Sequence, residues 1–359
     1  MVNSKNVDAA GKSNAAAVRC RLQEVAHINA RNEDGHTPLM QAVLDGNLDT
    51  IKFLVAKGAD VNAKDESGWT PLMGFAEYGK LHMVKFLVAK GADVNARDDS
   101  GWTPLMWATV RDHLGVVKFL VAKGADVNNR NKDCMTALVL ATHYAHPDPA
   151  MAKFLVANGA EVNVSNETGW TPLMWAAIAG KLDIVNFLVT NGADVNLRDT
   201  KGRTPLMRAV SDGKLDMVKF LVAKGADVNA KDESGSTPLM RAVSDGKLDM
   251  VKFLVAKGAD VNAKDEHGST PLMRAANDAK WNIVKSLLAH DANVNVRDES
   301  GWTPLMRAAH KGMLDTVKFL VAKGADINAR DKTGWTPLMR AWSKHLSDVA
   351  EFLQQHGRQ

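Results

Sequence analysis

Histidine and aspartate side chains that could bind a metal ion stand close together in the segment His143-Tyr144-Ala145-His146-Pro147-Asp148-Pro149. His143, His146 and Asp148 are suitable donors, but three ligands in a loop without a fourth are a weak pattern for zinc. A surface insertion that the fold tolerates is the alternative. Gly-x-Ser-x-Gly, His-Glu-x-x-His, Walker A and CxxC motifs do not occur. The sequence therefore predicts a protein that is not an enzyme and uses no metal or cofactor.

Tryptophan is concentrated at positions that could bind a partner. Five of the nine Trp residues stand between Gly and Thr: Trp69, Trp102, Trp170, Trp302 and Trp335. Trp107 and Trp175 occupy a second shared position, four residues after a Thr. Ser236 and Ser269 replace Trp at the first position, so the fold does not require an aromatic residue there. Two interpretations remain open: these Trp side chains stack and stiffen neighbouring loops, or they anchor a protein partner.

The second shared position changes from neutral to basic along the chain. Its first five occupants are Gln41, Gly74, Trp107, Leu140 and Trp175, and its last five are Arg208, Arg241, Arg274, Arg307 and Arg340. A row of guanidinium groups could bind an acidic protein surface, a phosphate-bearing ligand or nucleic acid. The small net charge of +4 argues against nucleic acid.

Aspartates in the same predicted helices could neutralise part of this arginine row. Asp212, Asp245 and Asp278 each follow an Arg by four residues, a spacing at which side chains meet on a helix. Lys311 and Lys344 take that place after Arg307 and Arg340. We therefore expect an uncompensated basic patch near residues 307–345, to which His310 and His345 also belong, with Trp302 and Trp335 beside it.

The elements that position these residues come from an internal repeat. Thr-Pro-Leu, or Thr-Ala-Leu at Thr136, recurs ten times, with steps of 33 residues except for 35 between Thr136 and Thr171. Each copy predicts a capped helix that begins at Pro, a break such as Asp245-Gly246, and a second helix that ends at Lys-Gly. One such pair cannot bury its own apolar faces, so stacking on neighbouring copies must supply the core.

The units resemble ankyrin repeats through their length, Gly-x-Thr-Pro-Leu and Gly-Ala-Asp-Val-Asn. The resemblance covers nearly the whole chain and implies an all-α ankyrin-repeat solenoid that binds partners through hairpin tips and inner helices on a concave face. The His that usually follows Thr-Pro-Leu in that family is Met here, or Val139 in one copy. Methionine would fill that space by packing instead of by hydrogen bonding.

We expect nine full repeats at 34–332, a degenerate N-terminal cap at 1–33 and a C-terminal cap at 333–359, with the irregular 35-residue repeat at 133–167. More polar side chains in both terminal segments favour this division. Cys20 and Cys134 are too few and too far apart for a disulfide framework. This cysteine usage and the absence of a long apolar run predict a cytoplasmic protein that does not enter a membrane.

The leading hypothesis is a monomeric, non-enzymatic scaffold that binds an acidic protein or peptide partner. The expected contacts are the seven Trp residues at the two positions above together with Arg208, Arg241, Arg274, Arg307, Arg340 and Lys311. A module for a nucleotide or another anionic small ligand, bound by Trp stacking and Arg contacts, is the alternative. A consensus-derived array without a natural partner is a third interpretation, because residues 204–233 and 237–266 are identical.

Overall fold

Helices in successive pairs make up the regular structure of residues 28–143 and 149–357, the part of the chain that the computed structural model describes. This part contains twenty α-helices and no strand, so the predicted all-α class is confirmed. The first helices of the pairs are α1 Pro38–Leu44, α3 Pro71–Glu77, α5 Pro104–Val110, α7 Ala137–His143, α9 Pro172–Ala179, α11 Pro205–Ser211, α13 Pro238–Ser244, α15 Pro271–Asn277, α17 Pro304–His310 and α19 Pro337–Trp342. The second helices are α2 Leu48–Ala56, α4 Leu81–Ala89, α6 Leu114–Ala122, α8 Ala150–Ala157, α10 Leu182–Thr190, α12 Leu215–Ala223, α14 Leu248–Ala256, α16 Trp281–Leu288, α18 Leu314–Ala322 and α20 Ser347–His356.

Each first helix begins where Thr and Pro predict it. The Thr237 hydroxyl accepts the Met240 backbone N–H at 3.3 Å, and Pro238 takes the first helical position, which needs no donor. The same cap holds the helices that follow Thr37, Thr70, Thr103, Thr171, Thr204, Thr270, Thr303 and Thr336. Local sequence alone therefore sets the start of the helix that carries the Trp or Arg side chain.

Glycine allows the loop before most first helices to approach the next repeat closely. Gly235 has φ +72°, and a Cβ atom there would lie 2.8 Å from the Glu266 backbone nitrogen. The Gly-Ala-Asp-Val-Asn loops add a second link, since the Asn62 side chain accepts from the Asp93 N–H and donates to the Gly91 carbonyl. The aspartate of this motif closes the turn, as Asp60 accepts from the Asn62 N–H.

The core divides into two compact units, an N-terminal unit, Met1–Ala193, and a C-terminal unit, Asp194–Gln359. Within each unit the first helix of a pair packs against the first helix of the next pair. Met73 and Met306 are fully buried between such helices, which agrees with the predicted packing role of methionine, whereas Met339 in the last pair is 40 % exposed. The stacking fixes a regular row of first helices in each unit.

Two sequence predictions lie outside the described residues: most of the N-terminal cap, residues 1–27 with Cys20, and residues 144–148 of the insertion, with His146 and Asp148. The division into nine repeats and two caps stays a prediction. Among the described residues, no helix is long and apolar enough to cross a membrane.

Candidate functional site

The arginine row of the C-terminal unit is bound to a row of buried aspartates. Each Arg forms an ion pair with the Asp nine residues before it; the distance is 2.8 Å for Arg274–Asp265 and 2.7 Å for Arg307–Asp298. The other three pairs are Arg208–Asp199, Arg241–Asp232 and Arg340–Asp331. The Asp side chains are at most 6 % exposed, whereas the Arg side chains are 13–28 % exposed. The arginine side chains are therefore only partly exposed, and the charge of each is balanced by its own aspartate.

The two carboxylate oxygens of each aspartate accept hydrogen bonds from different parts of the repeat. Oδ1 of Asp298 accepts the backbone N–H groups of Ser300 and Trp302, both at 2.9 Å, and so closes the loop before helix α17. Oδ2 of the same side chain accepts from Arg307. In the other four aspartates of the row, Oδ1 likewise accepts two loop N–H groups and Oδ2 accepts from the arginine. The ion pair thus ties the loop tip to the first helix of the same repeat.

The predicted pairing with aspartates four residues later was wrong. Asp212, Asp245 and Asp278 are exposed, and Asp245 pairs with Lys247 at 3.1 Å. The expectation that Arg307 and Arg340 lack a counter-charge was also wrong, because Asp298 and Asp331 neutralise them. The physical reason is the loop fold, which brings a carboxylate that is distant in sequence against the helix, where burial strengthens the attraction.

Hydrogen bonds lower the pKa of three of these carboxylates despite their burial. Burial raises the pKa of the Asp331 carboxyl, but hydrogen bonds from Thr333, Arg340 and Trp335 outweigh that effect and lower the pKa to about 2. The pKa values of Asp199 and Asp232 also lie below the ordinary value, since their loop N–H donors and arginine partners outweigh burial. The lowered pKa values favour the ionised form of Asp199, Asp232 and Asp331 beside their arginines.

A basic surface remains at the end of the C-terminal unit, supplied mainly by lysine. Lys311 and Lys344 are exposed. Burial lowers the pKa of His310, and the charges of Lys344, Arg340, Lys311 and Arg307 lower it further. The four cations that the sequence predicted for this patch therefore all act on His310, although Asp298 and Asp331 balance the two arginines.

Two of the predicted tryptophans stack on the arginines of this surface. The Arg340 guanidinium lies over both Trp302 and Trp335, 4.3 and 4.7 Å from the ring centroids, and Arg307 lies 5.6 Å from Trp302. Trp335 remains 38 % exposed. We name Trp302, Arg307, Lys311, Trp335, Arg340 and Lys344 the basic aromatic surface.

The N-terminal unit uses the same positions for aromatic contacts. Trp107 of helix α5 stacks on Trp69 of the preceding loop, at a centroid distance of 5.1 Å and an interplanar angle of 9°, and packs against Trp102 of its own loop at 4.6 Å. Trp175 of helix α9 packs against Trp170 at 4.3 Å and meets the edge of His143 at 3.9 Å. All five tryptophans are half-buried. They form two clusters, the Trp69–Trp102–Trp107 cluster and the His143–Trp170–Trp175 cluster.

His143 therefore has an aromatic neighbour, and its pKa is lowered by burial. Within the described residues no group of three or more His, Cys, Asp or Glu side chains could hold a metal ion. His146 and Asp148, the other two ligands considered from sequence, are not among those residues.

Comparisons with known proteins bear on this arrangement of paired helices and variable loop tips. The family model "Ankyrin repeats (3 copies)" matches residues 59–131, 128–199, 178–265, 206–298 and 272–359, and "Ankyrin repeats (many copies)" matches residues 22–74. The chain belongs to the ankyrin-repeat family. A comparison with curated proteins gave no significant match. Ankyrin repeats generally mediate protein–protein binding, so the variable positions of this array are candidate partner contacts.

Sequence reasoning found the Trp and Arg positions of the ankyrin repeats but missed the residues that hold the arginines. A signal for them was present, because every repeat with Arg has Asp nine residues earlier. Repeats without Arg have Asn at three of five copies: Asn32, Asn131 and Asn166. Asn166 still accepts the N–H groups of Thr168 and Trp170, so asparagine keeps the loop and omits the charge.

Proposed function

We propose that this ankyrin-repeat chain is a non-enzymatic scaffold that binds a protein or peptide partner along its loop tips and first helices. One observation carries the proposal: large aromatic side chains stand half-exposed at loop positions where the same fold accepts serine. Trp102 and Trp170 occupy the position that Ser236 and Ser269 occupy in the C-terminal unit. Aromatic residues that the framework does not need are the side chains most enriched at the centres of protein interfaces.

The stacking of these tryptophans supports a binding role. Trp102 is held against Trp107, and Trp170 against Trp175, before any partner arrives. A side chain that is already ordered loses little conformational entropy on binding, so more of its contact energy appears as affinity. The two aromatic clusters would provide the apolar anchors of the interface.

The basic aromatic surface of the C-terminal unit would recognise an acidic segment of the partner. The arginine charges are balanced by buried aspartates, so the net attraction comes from Lys311 and Lys344. Trp302 and Trp335 add apolar contact area beside these lysines. The remaining arginines are Arg208, Arg241 and Arg274. They would contribute only the small exposed part of their side chains, because their guanidinium groups already donate to Asp. For the same reason the nucleotide alternative gains no support from them.

The experiment is affinity capture from a lysate of the source organism, followed by titration of the captured protein against variants of the full chain. Trp102→Ser with Trp170→Ser should weaken binding roughly tenfold or more, because interface Trp anchors commonly contribute more than 1 kcal/mol each. Lys311→Gln with Lys344→Gln should weaken it less and reduce its salt dependence. Lys52→Gln with Lys85→Gln, on the exposed faces of helices α2 and α4, is the matched control.

Equal affinity of the Trp variant and the wild-type chain would refute the aromatic anchors. An unchanged salt dependence in the Lys311→Gln, Lys344→Gln variant would refute the acidic character of the partner. Serine is a natural occupant of the mutated loop position, so the variant should fold, although it loses the contacts with Trp107 and Trp175. A loss of affinity measured well below the melting temperature of both chains therefore reports on the interface.

A further inference from the structure

A pocket opens in the N-terminal unit at the one repeat whose first helix has glycine at the arginine position. Gly74 leaves a space of about 190 Å³ between the first two helix pairs. Its walls include His36, Val43, Asp65, Trp69 and Tyr78. The Tyr78 side chain is 49 % exposed at its mouth.

The C-terminal unit shows what occupies this space when the repeat has arginine. At the same offsets within the repeat, Arg307 donates to Oδ2 of Asp298 at 2.7 Å and lies 5.6 Å from the Trp302 ring centroid. The pocket has the same two partners, Asp65 and Trp69, and no side chain from Gly74. The pocket therefore corresponds to the space that the arginine side chain fills in repeats of the C-terminal unit.

The carboxylate that would receive a guanidinium group is in place and only partly used. Oδ1 of Asp65 accepts the N–H groups of Ser67 and Trp69, both at 2.8 Å, as the loop aspartates of the C-terminal unit do. Oδ2 lies 3.5 Å from Nε2 of His36, which is longer than a normal hydrogen bond. The Asp65 side chain is 13 % exposed. An incoming guanidinium group would thus meet a mostly dehydrated negative charge, where an ion pair is stronger than in water.

The remaining walls suit the rest of an arginine side chain. The Trp69 ring is fixed by its stack on Trp107, so it offers a rigid aromatic surface to a cation. Its indole Nε1 is buried and has no hydrogen-bond partner in the described structure. Val43 and the half-exposed Leu44 supply an apolar surface on which the methylene stem can lie.

We propose that this pocket binds an arginine side chain of a partner peptide or protein. The guanidinium group pairs with Oδ2 of Asp65, its plane packs against Trp69, and its stem covers Val43 and Leu44. Lysine fits less well, because an ammonium group lacks the planar fork that the chain's own arginines present. This inference concerns a different surface and a different charge from the acidic segment proposed above, and neither depends on the other.

The test uses the full chain and two peptide probes, Ac-Gly-Arg-Gly-NH₂ and Ac-Gly-Gln-Gly-NH₂. Binding is followed by the NMR shift of the Trp69 indole N–H in protein with ¹⁵N-labelled tryptophan. The arginine probe should give a saturable shift, and the glutamine probe should give none at the same concentrations. Ac-Gly-Lys-Gly-NH₂ should bind more weakly than the arginine probe.

Three variants locate the interaction. Asp65→Asn removes the charge and keeps the loop, as Asn166 does in its own repeat, and should weaken the arginine probe roughly tenfold or more. Gly74→Arg should fill the pocket with the chain's own guanidinium and abolish binding. A Cβ atom at position 74 would lie 2.9 Å from Val43 Cγ1, so the Val43 side chain must shift to admit an arginine there. Arginine is accommodated beside the equivalent valines Val210 and Val243, which precede Arg241 and Arg274. Asp98→Asn is the matched control, because it removes a loop carboxylate from the next repeat, whose arginine position holds Trp107.

Several results would overturn the proposal. It fails if the wild-type chain shows no saturable shift, if the glutamine probe binds equally, or if Asp65→Asn and Asp98→Asn have equal effects. Tighter binding of the lysine probe would contradict the guanidinium assignment. Asp65→Asn decides the question even if Gly74→Arg does not fold, because that single change leaves the loop hydrogen bonds intact. The partner-capture experiment is scored with different variants, so either proposal can fail without the other.

Discussion

The N-terminal and C-terminal units build the same loop and place different side chains against it. In the C-terminal unit the loop carboxylate of Asp199, Asp232, Asp265, Asp298 or Asp331 receives an arginine from the following helix. In the N-terminal unit that helix carries Gln41, Gly74, Trp107, Leu140 or Trp175. Where the occupant is Leu140 or Trp175, the loop residue is the neutral Asn131 or Asn166.

This difference teaches that the loop residue and the helix residue work as one pair. The backbone hydrogen bonds to Oδ1 are the same for Asp232 and Asn166, so the loop itself does not require a charge. The second oxygen of aspartate is useful only when a cation reaches it, because a buried carboxylate without a partner is costly. Asp65 and Asp98 are the two loop aspartates whose helix carries no arginine, and Asp65 lies beside the pocket at Gly74.

The largest expected effect comes from breaking one pair of the C-terminal unit. Arg241→Leu leaves the Asp232 carboxylate, 5 % exposed, without its cation and should lower the free energy of unfolding by about 3 kcal/mol. Arg241→Leu with Asp232→Asn reproduces the Leu140 and Asn131 pair of the N-terminal unit and should recover most of that loss. Urea denaturation of the wild-type chain, both single variants and the double variant measures the coupling. A loss in the double variant equal to the sum of the two single losses would show that the two residues are independent.

A smaller effect is expected from acid, through the aspartates whose pKa is lowered in the folded chain, of which Asp331 has the clearest shift. The pKa of Asp331 is about 2 in the folded chain and near its ordinary value of 3.8 in the unfolded chain. A depressed folded pKa stabilises the protein above pH 4, and this contribution disappears as the pH falls from about 4 to 2. The full contribution is on the order of 2 kcal/mol.

Denaturation curves between pH 5 and pH 2 should therefore be less pH-dependent for Asp331→Asn than for the wild-type chain. Asp326→Asn, which changes an exposed carboxyl in the neighbouring loop motif, serves as the comparison. If both variants have the same pH dependence as wild type, Asp331 does not carry the acid sensitivity.

The smallest effect on the free energy of unfolding is expected when the tryptophan at one helix position is replaced by the arginine of the C-terminal unit. Trp107→Arg removes the stack on Trp69 and Trp102, which is worth about 1 kcal/mol, and brings a cation to Asp98. We expect the two changes to offset each other within about 1 kcal/mol, since the geometry nine residues after the loop Asp is the same. Trp107→Leu loses the stack without that compensation and should melt at a lower temperature than Trp107→Arg. The opposite order of melting temperatures would mean that Asp98 gains nothing from an arginine at this position.

The repeat, the helix starts and the candidate binding positions were all readable from the sequence. Thr237, Pro238 and Gly235 act locally, through a cap, a fixed φ angle and a left-handed turn, so their structural roles follow from neighbouring residues. The burial of methionines such as Met240 also followed from the repeat, because only stacking could cover the apolar face of so short a helix. The partners of the arginines did not follow, since helix spacing suggested Asp245 for Arg241 and the structure pairs it with Asp232.

By itself, the sequence determined an array of capped helix pairs with Trp or Arg at two variable positions, because capping, helix periodicity and repeat length are local properties of the chain. Tertiary structure alone decided which charges meet, which tryptophans stack, and that Gly74 opens a pocket beside Asp65. These contacts depend on how a loop folds back on its own helix and on how one repeat lies against the next, and distances of that kind are set by packing across the whole unit.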